Sequence, residues 1–377
     1  MTNLKSLSAS AAISIAALVF AAAAPPVVAC SARPNELVEA FDRVFDGCEH
    51  PLCGMAIGVA APAPAQAAPL EAECPPYATW SRLQAAIDET LAAGGFVLLG
   101  EIHDNQAHHD LRAALISGLA ATRHDAGGPA IVFEQIRADQ RAAIAPFAKP
   151  APGDAERPGL DALLSALAWE KSPWSKSADY RPLFSAVLSA RLPVDAGDPG
   201  REAMYRAARD GSASIPSEDR TRLGLETPLG EPLDLASFAE IEEAHCGLMP
   251  KAALSGMAYA QRFRDAHMAD VLISAADGSG AILIAGNGHV RVDRGVPWYL
   301  ARRVPGRPIL AVVFSEVDEA RSDPGSYVPR GPDGKAAADW LVFAPRQKRN
   351  GDPCAEMRAA FEARAKSGPS PGAAKAE

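Results

Sequence analysis

The sequence lacks the signatures by which a chemistry is most often named. It has no G-x-S-x-G elbow for a serine nucleophile, no G-x-x-x-x-G-K-[ST] loop for nucleotide phosphates, and no G-x-G-x-x-G after a strand. Positive charge is scarce: 37 Lys and Arg stand against 46 Asp and Glu, a formal net charge of −9. The basic residues are scattered, so there is no footprint for a phosphate backbone, and nucleic acid is set aside as a partner. There is no repeat of fixed period. Of the six cysteines, no two have the spacing of a zinc site. The apolar run Ala11–Ala24, interrupted by Ser14, is shorter than the roughly 20 residues that span a bilayer.

That run does have another use. Lys5 precedes it and Val27-Val28-Ala29-Cys30 closes it, which reads as a secretory signal over residues 1–29. Val-Val-Ala-Cys also has the form of a bacterial lipobox, in which Cys30 is lipidated and becomes the first mature residue; ordinary cleavage after Ala29 is the alternative. The expected location is the cell envelope, with a lipid anchor in the membrane facing the periplasm. Export implies an oxidising compartment, so Cys48, Cys53, Cys74, Cys246 and Cys354 become disulfide candidates. Cys246 and Cys354 lie inside or beside the folded domain and are the pair to expect first. Residues 30–75, rich in Ala and Pro, read as a linker, including the apolar stretch Leu52–Ala67. Residues 351–377 read as a tail.

Between them, apolar runs too short to alternate are separated by helical patterns. Strands are expected at Phe96–Leu99, Ala130–Phe133, Leu192–Val194, Ala281–Ala285, Ile309–Phe314 and Trp340–Phe343. This implies one α/β domain over 76–350, with a mainly parallel sheet, helices on both faces and a helical insertion at about 139–169. Ligands of such sheets sit beyond the strand carboxyl ends. Here each apolar run stops at a polar side chain: FVLL runs into Gly100-Glu101-Ile102-His103, AIVF ends on Glu134, LPV on Asp195, and AILIA runs into Gly286-Asn287-Gly288-His289. Glu101, His103, Glu134 and His289 should therefore converge on one cleft. Asp104 or Asn105 can cap the helix starting near Gln106, and His108 and His109 fall on its first turn, at most one of them facing the cleft. Asp195 reads as a cap, and His124, His245 and His267 as surface or packing residues. Trp174 and Tyr180, in the polar stretch SPWSKSADYRPLF, are placed to wall a pocket. His103 and His108 are five apart with the first in a turn, unlike the helical H-E-x-x-H zinc arrangement.

LGEIHDNQAHHD, the strand ending VFEQ, WEKSPWSKSADYRPL, AHCGLMPKAA, QRFRDAHMA and AGNGHVRVDRGVPWYL together resemble the ChaN-like haem-binding lipoproteins of the Tiki/erythromycin-esterase superfamily. The resemblance implies a cell-envelope protein that binds haem in iron acquisition or handling, with possible self-association. The haem would be held non-covalently, since no C-x-x-C-H motif exists. A haem needs an apolar slot, an iron ligand and donors for its propionates. Tyr180 and Tyr205 are candidate iron ligands. The residues expected to contact it are His103, His108, His109, Tyr180, Asn287 and His289, with Arg291 and the helix start at Gln106 as further donors. The wider superfamily implies an alternative, a hydrolase of an ester, lactone or peptide. There Glu101 or His103 would activate water while Glu134 and His289 orient it, and the same four could hold a divalent metal.

Overall fold

The computed structural model describes residues 41, 43–59, 77–122, 128–148 and 158–367. The signal segment, Cys30, Cys74 and His124 lie outside the described residues. One seven-stranded sheet organises the chain: β1 (Ala56–Gly58), β2 (Phe96–Leu99), β3 (Ala130–Arg137), β4 (Val194–Asp198), β5 (Ala281–Ile284), β6 (Ile309–Glu316) and β7 (Trp340–Ala344). Their order is β1-β7-β6-β2-β5-β3-β4. β1 runs antiparallel to β7 and every other neighbour pair is parallel.

The strand period of two explains why the central strands carry no polar side chain. Along β2, Val97 and Leu99 enter one core while Phe96 and Leu98 enter the other. The first core is closed by α1 (Tyr77–Ala92), α2 (Gln106–Thr122) and α5 (Arg181–Ser189), which follow β1, β2 and the insertion. The insertion itself contains α3 (Ala145–Ala148) and α4 (Leu160–Ala166). The second core lies under α9 (Lys251–Ala275) and α10 (Val296–Arg303). Between β4 and α9 come α6 (Arg201–Asp210), α7 (Ser217–Leu223) and α8 (Glu231–Ala244). A ring such as Phe133, with no exposed surface, contributes about 1.5–3 kcal/mol by burial.

Three expectations need correction. Part of the supposed linker is folded. Phe41 packs on Trp80 at 4.8 Å, the Trp80 indole donates to Gly54 O at 2.6 Å, and Cys48 is bridged to Cys53. The composition hid this because β1 is three residues long and borrows its partner from the far end of the chain. Part of the supposed tail is also folded: α11 (Pro353–Ser367) is tied back by the Cys246–Cys354 disulfide, the pairing expected first. Finally, β3 and β4 run further than their apolar cores. Asp195-Ala196-Gly197-Asp198 has turn composition yet pairs with β3, because Gly197 lets the strands approach. A Cβ there would sit 2.8 Å from Phe133 O. Asp195 is thus a strand residue bonded to Arg141 at 2.9 Å, and the strand ends on Asp198.

Candidate functional site

Glu101, His103, Glu134 and His289 meet at the carboxyl edge of the sheet. The alternation of β3 divides their surroundings in two. Gln135 points to the first face, where its amide donates to Glu101 Oε1 at 3.0 Å, whereas Glu134 points to the second face, toward His289. The β3–β4 register shifts between Phe133 and Arg137, a local irregularity of the kind often found where strands present side chains to a site.

On the first face Glu101 is saturated. Its Oε1 accepts from the Tyr180 hydroxyl at 2.7 Å and from His103 Nδ1 at 2.5 Å, and its Oε2 from Arg112 Nη2. Arg112 is wholly buried, and burial lowers its guanidinium pKa to about 10. Arg112 Nη2 also lies 2.8 Å from His109 Nδ1, and its Nε donates to His108 O at 3.2 Å. This corrects the expectation for the first helical turn: His108 and His109 are both completely buried. His108 Nδ1 accepts from Ile102 N at 2.9 Å and His109 Nε2 bonds His103 O at 3.0 Å, so both pin the turn that carries His103. Burial lowers their pKa values to about 3 and about 4, leaving both rings neutral at pH 7. Asn105 caps the helix, its Oδ1 accepting from His108 N at 3.3 Å. Tyr180, too, is buried rather than available to a ligand.

On the second face His289 sits between two carboxylates, with Nδ1 2.5 Å from Asp265 and Nε2 3.2 Å from Glu134. Burial alone would lower its pKa, but Glu134 and Asp265 outweigh it and raise the imidazole to about 10. Burial likewise opposes ionisation of Glu134, and the His289 charge still holds that carboxyl well below the usual range. Burial raises Asp265. Arg264 lies 3.5 Å from Glu134 and 3.1 Å from Asp198.

The glycines let the halves touch. A Cβ on Gly286 would lie 2.8 Å from His103 Nε2 and 3.7 Å from Glu134 Oε2, and one on Gly100 would overlap Asn287 Oδ1. Asn287 is structural: its Nδ2 donates to Phe314 O at 2.8 Å and its Oδ1 accepts from Phe314 N at 3.2 Å. Arg291 is committed to Asp293, at 2.8 and 3.0 Å. The parts left to solvent are few. The His103 side chain is 38% exposed and lies against Trp174 with ring centroids 4.8 Å apart, and Arg264 is 25% exposed. His103 is therefore a histidine oriented through Nδ1 by a carboxylate, with Nε2 left over. Burial lowers its pKa, so it is present in the basic form. The donor set does not suit a metal: every carboxylate already meets an arginine or histidine, and no cluster of three or more His, Cys, Asp or Glu able to hold an ion occurs among the described residues.

Sequence reasoning missed Arg112, Gln135, Arg264, Asp265 and Arg349. Arg112 had a weak signal, a cation four residues after His108 on one helix face. Arg349, from beyond the strands, grips Asp104 at 2.6 Å and Glu316 at 2.9 Å and so clamps the turn from outside.

A large cavity lies beside this network and not within it. About 1110 Å³ in volume, it opens between the end of β3, the 166–173 segment and α6, with Arg137, Lys171, Pro173, Arg201, Tyr205 and Arg206 among its walls. Tyr205 is 66% exposed, more than any other large hydrophobic residue among the described residues.

Comparison with known proteins places these features. Residues 87–300 match the family model for haem-binding uptake proteins of the Tiki superfamily, ChaN, and the chain belongs to that family. Among solved structures it is similar to ChaN of Campylobacter jejuni, described with cofacially bound haem. The TM-score is 0.51 at 18% identity, over 71% of this chain and 92% of that one. An erythromycin esterase variant in its open conformation aligns at TM-score 0.32 and 16% identity, over 74% and 82% of the two chains. No curated protein matches the chain.

Proposed function

We propose that this member of the ChaN family binds haem non-covalently in the cavity bounded by α6, with Tyr205 as the iron ligand. The observation that supports it most is the chemistry of that cavity. It offers one exposed phenol, guanidinium and ammonium groups from Arg137, Lys171, Arg201 and Arg206 for the propionates, and apolar surface from Ala143, Ala203 and Pro173. Phenolate, a flat apolar wall and cations are the three things a ferric porphyrin dianion requires. A cavity of about 1110 Å³ has room for the macrocycle. When bound, the group would supply ferric iron; the chain's own residues orient it and neutralise its charge. The alternative ligand Tyr180 has its hydroxyl committed to Glu101. Titration of the protein with haemin is expected to give a saturable Soret change, and Tyr205→Phe to weaken it at least tenfold, about 1.4 kcal/mol. A featureless titration of the wild type defeats the reading.

The setting is part of the proposal. Val27-Val28-Ala29-Cys30 supports an exported protein, lipid-anchored through Cys30 at the periplasmic side and serving iron or haem handling. Mass spectrometry of the mature N-terminus tests this; an unmodified Cys30 would count against the anchor.

A second reading rests on one feature that haem binding leaves without a use. His103 is held by Glu101 with Nε2 facing the Glu134–His289 pair, the geometry of a general base that could activate water for ester or lactone hydrolysis. If no activated ester is hydrolysed faster by the wild type than by His103→Ala, this reading fails.

A further inference from the structure

The four cations of the α6 cavity are not equivalent. Its lining carboxylates are Asp139 and Glu202, and each already has an arginine. Asp139 accepts from Arg137 Nε at 2.8 Å and Nη2 at 3.1 Å, and Glu202 accepts from Arg206 Nη1 at 2.7 Å. Lys171 and Arg201 also line the cavity, and neither has an ion-pair partner among the described residues. The acid next to Lys171, Glu170, faces Arg181 instead, at 3.7 Å. Folding alone does not account for Arg201. It opens α6 directly after Gly200, where the unpaired N–H groups of the first turn disfavour a cation. A residue that conflicts locally with its element in this way is expected at a functional site. Arg201 and Tyr205 are four apart on α6, so they share one helix face, and both border the cavity. Lys171 comes from another wall, the 166–173 segment.

We propose that Lys171 and Arg201 make this cavity selective for a porphyrin with two free carboxylates, each cation pairing with one propionate. The inference rests on the haem-binding reading and adds to it which groups set the orientation and what the cavity rejects. Charge decides the assignment. A ferric porphyrin core carries one positive charge, which a phenolate from Tyr205 neutralises, so the two propionates are the charge that remains. Two propionates then meet two unpaired cations. Arg137 and Arg206 are balanced by Asp139 and Glu202, and each would have to give up that pair to take part. The propionates leave one edge of the macrocycle, so cations from two walls bracket that edge while Tyr205, one turn along from Arg201, meets the iron. An ester in place of the carboxylates would cover Lys171 and Arg201 without giving either a counter-charge, which is unfavourable.

The experiment compares haemin with its dimethyl ester, the same macrocycle without carboxylate charge, by Soret titration of the full chain in non-ionic detergent. The wild type is expected to bind haemin at least about tenfold more tightly than the ester, with the gap narrowing as salt is added. Lys171→Met and Arg201→Met should each weaken haemin about fivefold, the scale of one partly exposed ion pair, and leave the ester within about twofold. Arg201→Met should also keep its urea midpoint, since it removes a cation from a helix start. A wild type that binds the ester as tightly as haemin overturns the selectivity and leaves the haem reading standing. Variants that weaken both ligands alike, or neither, overturn the pairing of Lys171 and Arg201 with the propionates. A wild type that binds neither ligand defeats the haem reading, and this inference with it.

Discussion

The sheet edge and the α6 cavity are neighbours built on opposite plans. At the edge, Glu101, His109, Arg112, Glu134, Asp265 and His289 are packed away from solvent, each bonded to another member. In the cavity, Tyr205 stands exposed with Arg201 and Arg206 on the same helix. Titratable density in the sequence therefore marks the place where the fold is locked, whereas the proposed iron ligand comes from a stretch with no motif at all. The two regions should respond to mutation in different currencies: stability for the edge, binding for the cavity.

The largest expected effect follows from breaking the edge. Glu101→Ala leaves Arg112 as an unpaired buried cation and should cost about 3–5 kcal/mol, read as a lower urea midpoint. An unchanged midpoint would mean that water already reaches Arg112. Next, Gly286→Val drives a side chain into the space of His103 Nε2 and should cost roughly 1–3 kcal/mol by overpacking, with a changed Trp174 emission as its local sign.

A smaller, graded effect comes from pH. His289 is raised from 6.5 to about 10, so its stabilisation is complete below pH 6.5 and is lost as pH climbs through 10. His108 and His109 are depressed to about 3 and about 4, so folding loses stability as pH falls from 6.5 toward those values. Maximal stability is expected near pH 6.5. The alkaline decline should approach at most about 1.4 kcal/mol per pH unit, and it should flatten in His289→Gln. A wild type whose stability is level from pH 6.5 to 10 would contradict the charged state assigned to His289.

Much of this architecture was legible beforehand. The four-residue run FVLL, ended by a Gly and a Glu, could hardly be anything but a buried parallel strand, and the convergence of Glu101, His103, Glu134 and His289 followed from strand direction. What could not be read was the direction in which each histidine points. His108 and His109 differ by 100° around one helix, and only tertiary packing shows that both are sealed, one by the turn above it and the other by Arg112. The role of Asn287 was equally hidden, because its partner Phe314 is 27 residues away on another strand. β4 was misplaced for a local reason, the turn-like composition of Asp195-Ala196-Gly197-Asp198, which parallel pairing overrode.

The contrast between the regions is sharpest in the two tyrosines. Tyr180 donates to buried Glu101 at 2.7 Å, and Tyr205 is two-thirds exposed at the cavity. Paired measurements of haemin affinity and urea stability on Tyr180→Phe and Tyr205→Phe test the account directly. Tyr180→Phe should lose about 1.5–3 kcal/mol of stability while its folded form keeps the wild-type haem spectrum. Tyr205→Phe should keep its stability within about 0.5 kcal/mol and lose affinity at least tenfold with a changed ferric spectrum. The opposite pattern, with haem lost through Tyr180 and indifferent to Tyr205, would place the ligand at the sheet edge and contradict the account.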